Sequence, residues 1–318
     1  YCTQNEKYCG LVIVDVDNFK QLNDSYGHDI GDQLLEETSN RIKAFINEYD
    51  YAFRFGGDEF VLLLNKLSPL TAKGVLESLA FQLHELISEP CQLGTIIYTP
   101  QFSIGIHLID LYSPKKEAFK KADIALYNAK RRGKGQISFF LPEMEDEIKK
   151  HHYYEQGLKT ALQGQELSWV IQPQMNMQKN TVIGGEVLMR WKYKDEFVRP
   201  DIFIPIAEDN QTIIPISNWL FDSVFYWIQQ NNIPNIKVSL NLSPVQFFDS
   251  NLIPFLNEQL NKYQISPYNI KLEVTEGVFL ERMEYALSII GKLKNIGFKI
   301  SLDAVSYTHL RAHETSVN

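Results

Sequence analysis

The sequence predicts two domains in succession, of α/β and α+β class: a mixed sheet with flanking helices, then a partial TIM-type (β/α) barrel. Three observations carry this. The first half alternates short apolar runs with helical ones in the order β-α-(α)-β-β-α-β-α-β. The second half has strand-like runs that each end in a side chain able to bind metal. Between the halves, Pro142 breaks the pattern and a charged, helix-prone stretch runs from Glu143 to Gln165.

In the first half, Leu11 to Val16 reads as an apolar strand ending in acids. Gly31 to Ile46 reads as a helix with Leu34, Leu35, Thr38, Ile42 and Ile46 on one face. Tyr51 to Phe55 and Phe60 to Leu64 read as strands joined by a turn at Gly56-Gly57-Asp58-Glu59. Pro69 to Ile87 is helical, Phe102 to Ile109 alternates like a strand, Lys116 to Lys130 is a helix ended by Gly133, and Ile137 to Leu141 is a last strand. In the second half, Glu186 follows Val182 to Gly185, Asn241 follows Val238 to Leu240, Glu273 follows Ile270 to Leu272, and Asp303 follows Ile300 to Leu302. The last two intervals each match one barrel unit of about 31 residues, and the first leaves room for an elaborated unit. Such barrels carry functional residues at the C-terminal ends of their strands.

The chain has 318 residues, enough for about two domains. Its formal net charge of -8 is a poor match to nucleic acid, which calls for a positive field. Cys2, Cys9 and Cys91 fit no metal or disulfide framework by spacing, and a reducing, cytoplasmic setting is expected. No apolar run approaches about 18 residues. The sequence starts at Tyr1 without a Met or signal peptide and reads as a piece of a longer protein, with a membrane reached only through upstream segments.

Adjacent acids such as Asp15 and Asp17 at the end of a buried strand are costly unless solvated, paired or bound to a cation. Asp58 and Glu59 sit on a turn whose glycines allow close backbone approach. Hard oxygen ligands suit Mg²⁺ (or Mn²⁺), which binds one or two carboxylates together with substrate phosphates. Lys130 and Lys134 can neutralise phosphates as point charges. Asn23 and Asp32 can read a purine edge, Asp32 accepting from guanine N1–H and N2–H. Taken singly, each feature is usually bland: a solvated hairpin, or a solvated basic helix end.

In combination they resemble a known family. Asp15-Val16-Asp17-Asn18-Phe19-Lys20, Asn23-Asp24, Gly27-His28, Gly31-Asp32 and Arg54-Phe55-Gly56-Gly57-Asp58-Glu59-Phe60 resemble the GGDEF diguanylate cyclases. So do Ala122-Asp123, Ala125-Leu126-Tyr127, Ala129-Lys130 and Gly133-Lys134. The resemblance implies a nucleotidyl-cyclase-like fold and metal binding by Asp15, the Val16 carbonyl and Asp58. It implies guanine binding by Asn23 and Asp32, and phosphate binding by Lys130 and Lys134. Asp58 and Glu59 are the catalytic candidates, Glu59 helping to deprotonate a 3′-hydroxyl. GTP is then the substrate, cyclic di-GMP the product, and a homodimer the working unit. Lys134 stands where the family usually has Arg. The family's product-inhibition motif, Arg-x-x-Asp, reads Asn47-Glu48-Tyr49-Asp50.

Gln172-Pro173, Glu186-Val187-Leu188-Met189-Arg190, Phe203 to Glu208, Asn241-Leu242-Ser243, Glu273 to Glu276 and Asp303 resemble the EAL phosphodiesterases, which open cyclic di-GMP to the linear dinucleotide. This implies metal ligands Glu186, Asn241, Glu273 and Asp303, with Gln172 and Arg190 contacting substrate. Ala304 stands where that family has a second Asp, and Val305 to Asn318 reads as an unrelated tail containing His309, Arg311, His313 and Glu314. The domains are therefore placed at 1–141 and 153–304, with a helical linker at 142–152 and the tail at 305–318. A binding module without turnover is the alternative from another class. A ferredoxin-like RNA binder is disfavoured by the acidic balance.

Overall fold

The computed structural model describes residues 8–110, 114, 116–231, 237–275, 277–281 and 283–303. Two compact units are present, Tyr1–Lys149 and Lys150–Asn318. Ala304 and the 305–318 tail lie outside the described residues.

The first unit contains β1 (Tyr8–Val16), α1 (Phe19–Tyr26), α2 (His28–Phe45), β2 (Tyr51–Gly56), β3 (Glu59–Leu67), α3 (Ala72–Ser88), β4 (Cys91–Leu93), β5 (Ile96–Tyr98), β6 (Phe102–Ile109), α4 (Ala118–Arg131) and β7 (Ile137–Phe139). Helix α5 (Glu143–Leu158) follows and contains the division between units. The main sheet has the order β2-β3-β1-β6-β7, with β6 and β7 parallel and the other pairs antiparallel.

Alternation along β1 decides what each face buries. Val12, Val14 and Val16 pack with Leu34, Leu35 and Ile42 of α2 and with Leu76, Ala80 and Leu83 of α3. Leu11 and Ile13 point the other way, against Ala118, Ala122 and Leu126 of α4. Asp15 has the parity of Leu11 and Ile13 and so ends the strand on the α4 side.

Helix α2 starts three residues earlier than the apolar periodicity suggests, because its first turn is polar and exposed and Gly27 (φ 88) breaks the chain before it. The β4–β5 hairpin was not expected. Cys9 is disulfide-bonded, which its spacing did not predict, whereas Cys91 is free and buried.

The second unit contains β8 (Leu167–Asn176), β9 (Thr181–Tyr193), β10 (Glu196–Val198), α6 (Pro200–Asp209), α7 (Ile213–Asn231), β11 (Lys237–Leu242), α8 (Pro244–Phe247), α9 (Leu252–Tyr263), β12 (Ile270–Thr275), α10 (Gly277–Glu281), α11 (Met283–Ile296) and β13 (Lys299–Asp303). Strands β9, β11, β12 and β13 are parallel neighbours with helices in each connection, the expected β/α repeat. Among the described residues the sheet is open, and β8 and β10 add antiparallel strands to β9. Val238, Leu240 and Leu242 of β11 and Ile270, Leu272 and Val274 of β12 share a core with α7, α9 and α11. The intervening Ser239, Asn241, Lys271 and Glu273 therefore face away from those helices.

Glu186 does not end a strand as expected. It sits within β9, which runs on to Tyr193 because β8 and β10 supply further pairing there.

Candidate functional site

Register builds the first site. Asp15 lies opposite Glu59 on β3 and opposite Ser103 on β6. The β2–β3 turn closes with Gly57 at φ 53, and Val16 N donates to the Asp58 carbonyl at 3.3 Å. The turn that carries Asp58 and Glu59 is thus held against the end of β1. Arg54 Nε donates to the Gly57 carbonyl at 2.8 Å and braces the turn from its other side.

Asp15 is 6% exposed, and burial pushes its carboxyl up to about 6. Lys130, whose Nζ is 2.7 Å from Asp15 Oδ2, opposes that rise, while Asp58 and Glu59 add to it. A cation here relieves three crowded acids. Lys130 is read from the sequence as a phosphate ligand, and the structure sets it on Asp15. Lys134 is exposed at φ 59, with Nζ 2.7 Å from Asn18 Oδ1.

Asn23 and Asp32 come from α1 and α2. A Cβ at Gly31 would collide with Asn23 Oδ1, so the glycine leaves the space that the amide occupies. Asn23 Oδ1 is buried and has no hydrogen-bond partner, while Asp32 is exposed.

Among the described residues, no three His, Cys, Asp or Glu side chains form a metal-holding group. A hard divalent cation fits the first site nonetheless. Asp15, Asp58 and the Val16 carbonyl are oxygen donors, and Mg²⁺ completes its shell with water and phosphate.

Asp17, which the sequence marks only as an acid in need of solvent, a partner or a cation, is paired. It is 3% exposed and accepts from Ser103 Oγ at 2.8 and 2.9 Å and from Gly135 N at 2.8 Å.

In the second unit, Glu186 pairs with Gln172 on β8 and with Ser239 on β11, and Asn241 pairs with Glu273. These side chains share the face opposite the helical core. Asn241 Nδ2 donates to Glu186 Oε1 at 2.8 Å. Glu273 Oε1 is 2.6 Å from Lys271 Nζ, so a side-chain cation neutralises it. The Asp303 backbone lies opposite Thr275, two residues beyond the Glu273–Ser301 pair. Arg190 Nη1 donates to the neighbouring Met189 carbonyl at 2.8 Å. Glu208, at the end of α6, accepts from Ser243 Oγ at 2.7 Å, and burial raises its carboxyl above the usual range. Glu276 lies outside the described residues.

Comparison with known proteins gives the same two halves. Residues 1–136 match the family model "Diguanylate cyclase, GGDEF domain", and residues 155–312 match "EAL domain". The second match runs past Ala304 into the stretch read from sequence as a tail. The signaling protein YkoW of Bacillus subtilis is 30% identical over 94% of this chain and 38% of its own length. The bifunctional diguanylate cyclase/cyclic di-GMP phosphodiesterase MucR of Pseudomonas aeruginosa is 31% identical over 94% of this chain and 44% of its own length. The chain thus spans well under half the length of these relatives. The solved S helix-GGDEF-EAL structure of Vibrio cholerae LapD, bound to c-di-GMP, has a TM-score of 0.60 over 95% of this chain and 72% of that one. At 15% identity that likeness speaks to fold alone. With both domain matches in tandem, the chain belongs to the GGDEF–EAL family.

Proposed function

We propose that this chain turns over cyclic di-GMP, its first unit making the product from two molecules of GTP. The observation that carries this is the placement of the Asp58-Glu59 turn against Asp15, with Lys130 2.7 Å from that carboxylate. Asn23 and Asp32 orient the guanine, and Lys130 and Lys134 meet the phosphates. Mg²⁺ or Mn²⁺ held by Asp15, Asp58 and the Val16 carbonyl would neutralise charge on the reacting phosphate. Glu59 accepts the proton of the 3′-hydroxyl as that oxygen bonds to the α-phosphorus of the second GTP and pyrophosphate leaves. Two such steps close the ring, so two copies of the chain each present one nucleotide, and catalysis is chiefly positioning.

The second unit is of the type that opens cyclic di-GMP to its linear form. For this chain we favour binding without turnover. Ala304 offers no ligand where the family has an acid. Gln172, Glu186, Asn241 and Arg190 then serve as the ligand's contacts.

The experiment is direct: incubate the purified chain with GTP and Mg²⁺, and separately with cyclic di-GMP and Mn²⁺ or Mg²⁺, and identify products by chromatography. Cyclic di-GMP in the first reaction, at a rate rising with the square of dilute protein concentration, supports the reading. GTP bound but never converted would make the first unit a binding module. Linear dinucleotide released above a Glu186→Ala control would overturn the non-hydrolytic reading of the second unit.

A further inference from the structure

We propose that Asp17 is a positioning residue of the nucleotide site: it ties the Gly133–Gly135 loop to the end of β1 and so holds Lys134 where it meets the phosphates of GTP. The proposal rests on the reading of the first unit as a GTP site.

The Asp17 carboxylate is nearly sealed from solvent and has donors from two distant parts of the chain. Ser103 Oγ reaches it from β6 at 2.8 and 2.9 Å, and Gly135 N reaches it from the loop after α4 at 2.8 Å. Its own amide donates to the Gln101 carbonyl at 2.9 Å, which fixes the backbone on which the carboxylate is carried. An acid in this position is costly to bury unless such partners exist, and here they exist in full.

The tethered loop is conformationally unusual. Gly133, Lys134 and Gly135 have φ values of 118, 59 and 58, so three successive residues lie at positive φ and the middle one has a side chain. A lysine stays in the left-handed region only where its surroundings over-determine it. Here they do so from both ends. Gly135 N is held by Asp17, and Lys134 Nζ is held by Asn18 Oδ1 at 2.7 Å. Asn18, the residue after Asp17, is itself left-handed at φ 59. The pair Asp17-Asn18 thus grips both the backbone and the side chain of one loop. Meanwhile Asp15, two residues earlier, holds Lys130 at the start of the same turn.

Asp17 does not face the ligand. The guanine-reading Asn23 and Asp32 lie on α1 and α2, and the bonds that Asp17 makes to Ser103, Gly135 and Gln101 involve neither helix, so loosening the tether should weaken the hold on phosphates and leave the hold on the base.

The test compares titration of GTP and of guanosine into the full chain and into Asp17→Ala, Lys134→Ala and the double variant, with thermal melts alongside. Asp17→Ala is expected to weaken GTP about tenfold or more, the scale of a lost charged hydrogen bond, with guanosine unchanged within about twofold. Lys134→Ala should give a similar loss, and the double variant little beyond either single one, because both changes remove the same contact. Asp17→Asn, which keeps one acceptor for Gly135 N, should restore part of the affinity; with Ser103→Ala it serves as the readout if Asp17→Ala does not fold. Equal weakening of GTP and guanosine, unchanged GTP affinity, or losses that multiply in the double variant would each overturn the proposal. If the unmodified chain binds guanosine no worse than GTP, phosphate recognition itself is absent. The reading of the first unit then falls, and this inference falls with it.

Discussion

Replacing Gly105 with Ala tests whether the sheet sets the position of the candidate site in the first unit. Gly105 lies in the middle of β6, opposite Ile13 of β1 and Ser138 of β7. A Cβ there would meet the Ala122 carbonyl and the Leu126 amide of α4 head-on, and would lie 2.6 Å from Leu126 Cα. All three are backbone atoms, so no side chain can swing aside. Ordinary contact begins at 3.4 Å. Helix α4 must therefore retreat by about 1 Å, or β6 must buckle, and overpacking of this kind costs about 1–3 kcal/mol. Lys130 follows Leu126 by one helical turn and would move with the helix. A misplacement of about 1 Å at a catalytic group can cost around 10²-fold in rate. The assay pairs urea unfolding with cyclic di-GMP formation from GTP and Mg²⁺. Gly74→Ala is the control, because a Cβ there meets nothing within 4 Å and Ala favours the helix by up to about 1 kcal/mol. A Gly105→Ala chain with unchanged stability and turnover would refute the claim that this glycine sets the helix–sheet distance.

Four other perturbations have definite expected outcomes. Asp58→Asn should lower cyclic di-GMP formation by about 10²-fold or more while GTP still binds, since an uncharged amide is a poor metal ligand; retention of half the turnover at saturating Mg²⁺ would rule the assignment out. Product inhibition at the usual position should be absent, because Asn47 has no cationic fork and Asp50 is engaged by Asn65 N at 2.7 Å and Asn47 N at 3.3 Å; submicromolar inhibition that vanishes in Asp50→Ala would contradict this. Arg41→Ala should destabilise the first unit by about 2–4 kcal/mol in urea melts, because its guanidinium serves the carbonyls of Leu86, Ile87, Glu89 and Pro90 at the end of α3, whereas Glu37→Ala should cost under about 1 kcal/mol. His107 is buried, and burial with nearby Lys121 holds its imidazole below the usual pKa of 6.5 against the opposing pull of Asp110. The unfolded chain then takes up its proton first. The contribution is complete above pH 6.5 and is lost as pH falls through 6.5 toward the lower folded value. Urea midpoints at pH 7.5 and 5.5 should differ less in His107→Leu than in the unmodified chain.

The sequence made some elements plain because local chemistry alone decides them. Phe102–Ile109 alternates and is terminated on both sides, and β6 has those bounds. The β4 and β5 strands are each three residues long, too short for any period to register, although Gly94 at φ 56 marks their turn. Strand β9 reads short in sequence because its later residues, Leu188 to Tyr193, gain their strand character from pairing with β8 and β10. The same limit applies to the site. Asp15, Asp58 and Glu59 were legible as an acidic set, since adjacent acids and a glycine turn are local signals. Asp17 was legible as one of the adjacent acids but its pairing was not, because its partners Ser103 and Gly135 are 86 and 118 residues away.

Periodicity also explains why both candidate sites lie where they do. In β1, burying Val12, Val14 and Val16 against α2 and α3 leaves Asp15 on the opposite face, toward α4 and its terminal Lys130. In β11, burying Val238, Leu240 and Leu242 against helices turns Ser239 and Asn241 the other way. Face is thus fixed within each strand, but height along the sheet is fixed only between strands. Asn241 stands level with Glu273 yet two residues beyond Ser239, the residue that pairs with Glu186. The amide of Asn241 closes that step by reaching back to Glu186 Oε1 at 2.8 Å. A one-residue slip of β11 would turn Asn241 into the helical core and Leu240 and Leu242 out of it, so the apolar pattern that secures the core also secures the register of the candidate set.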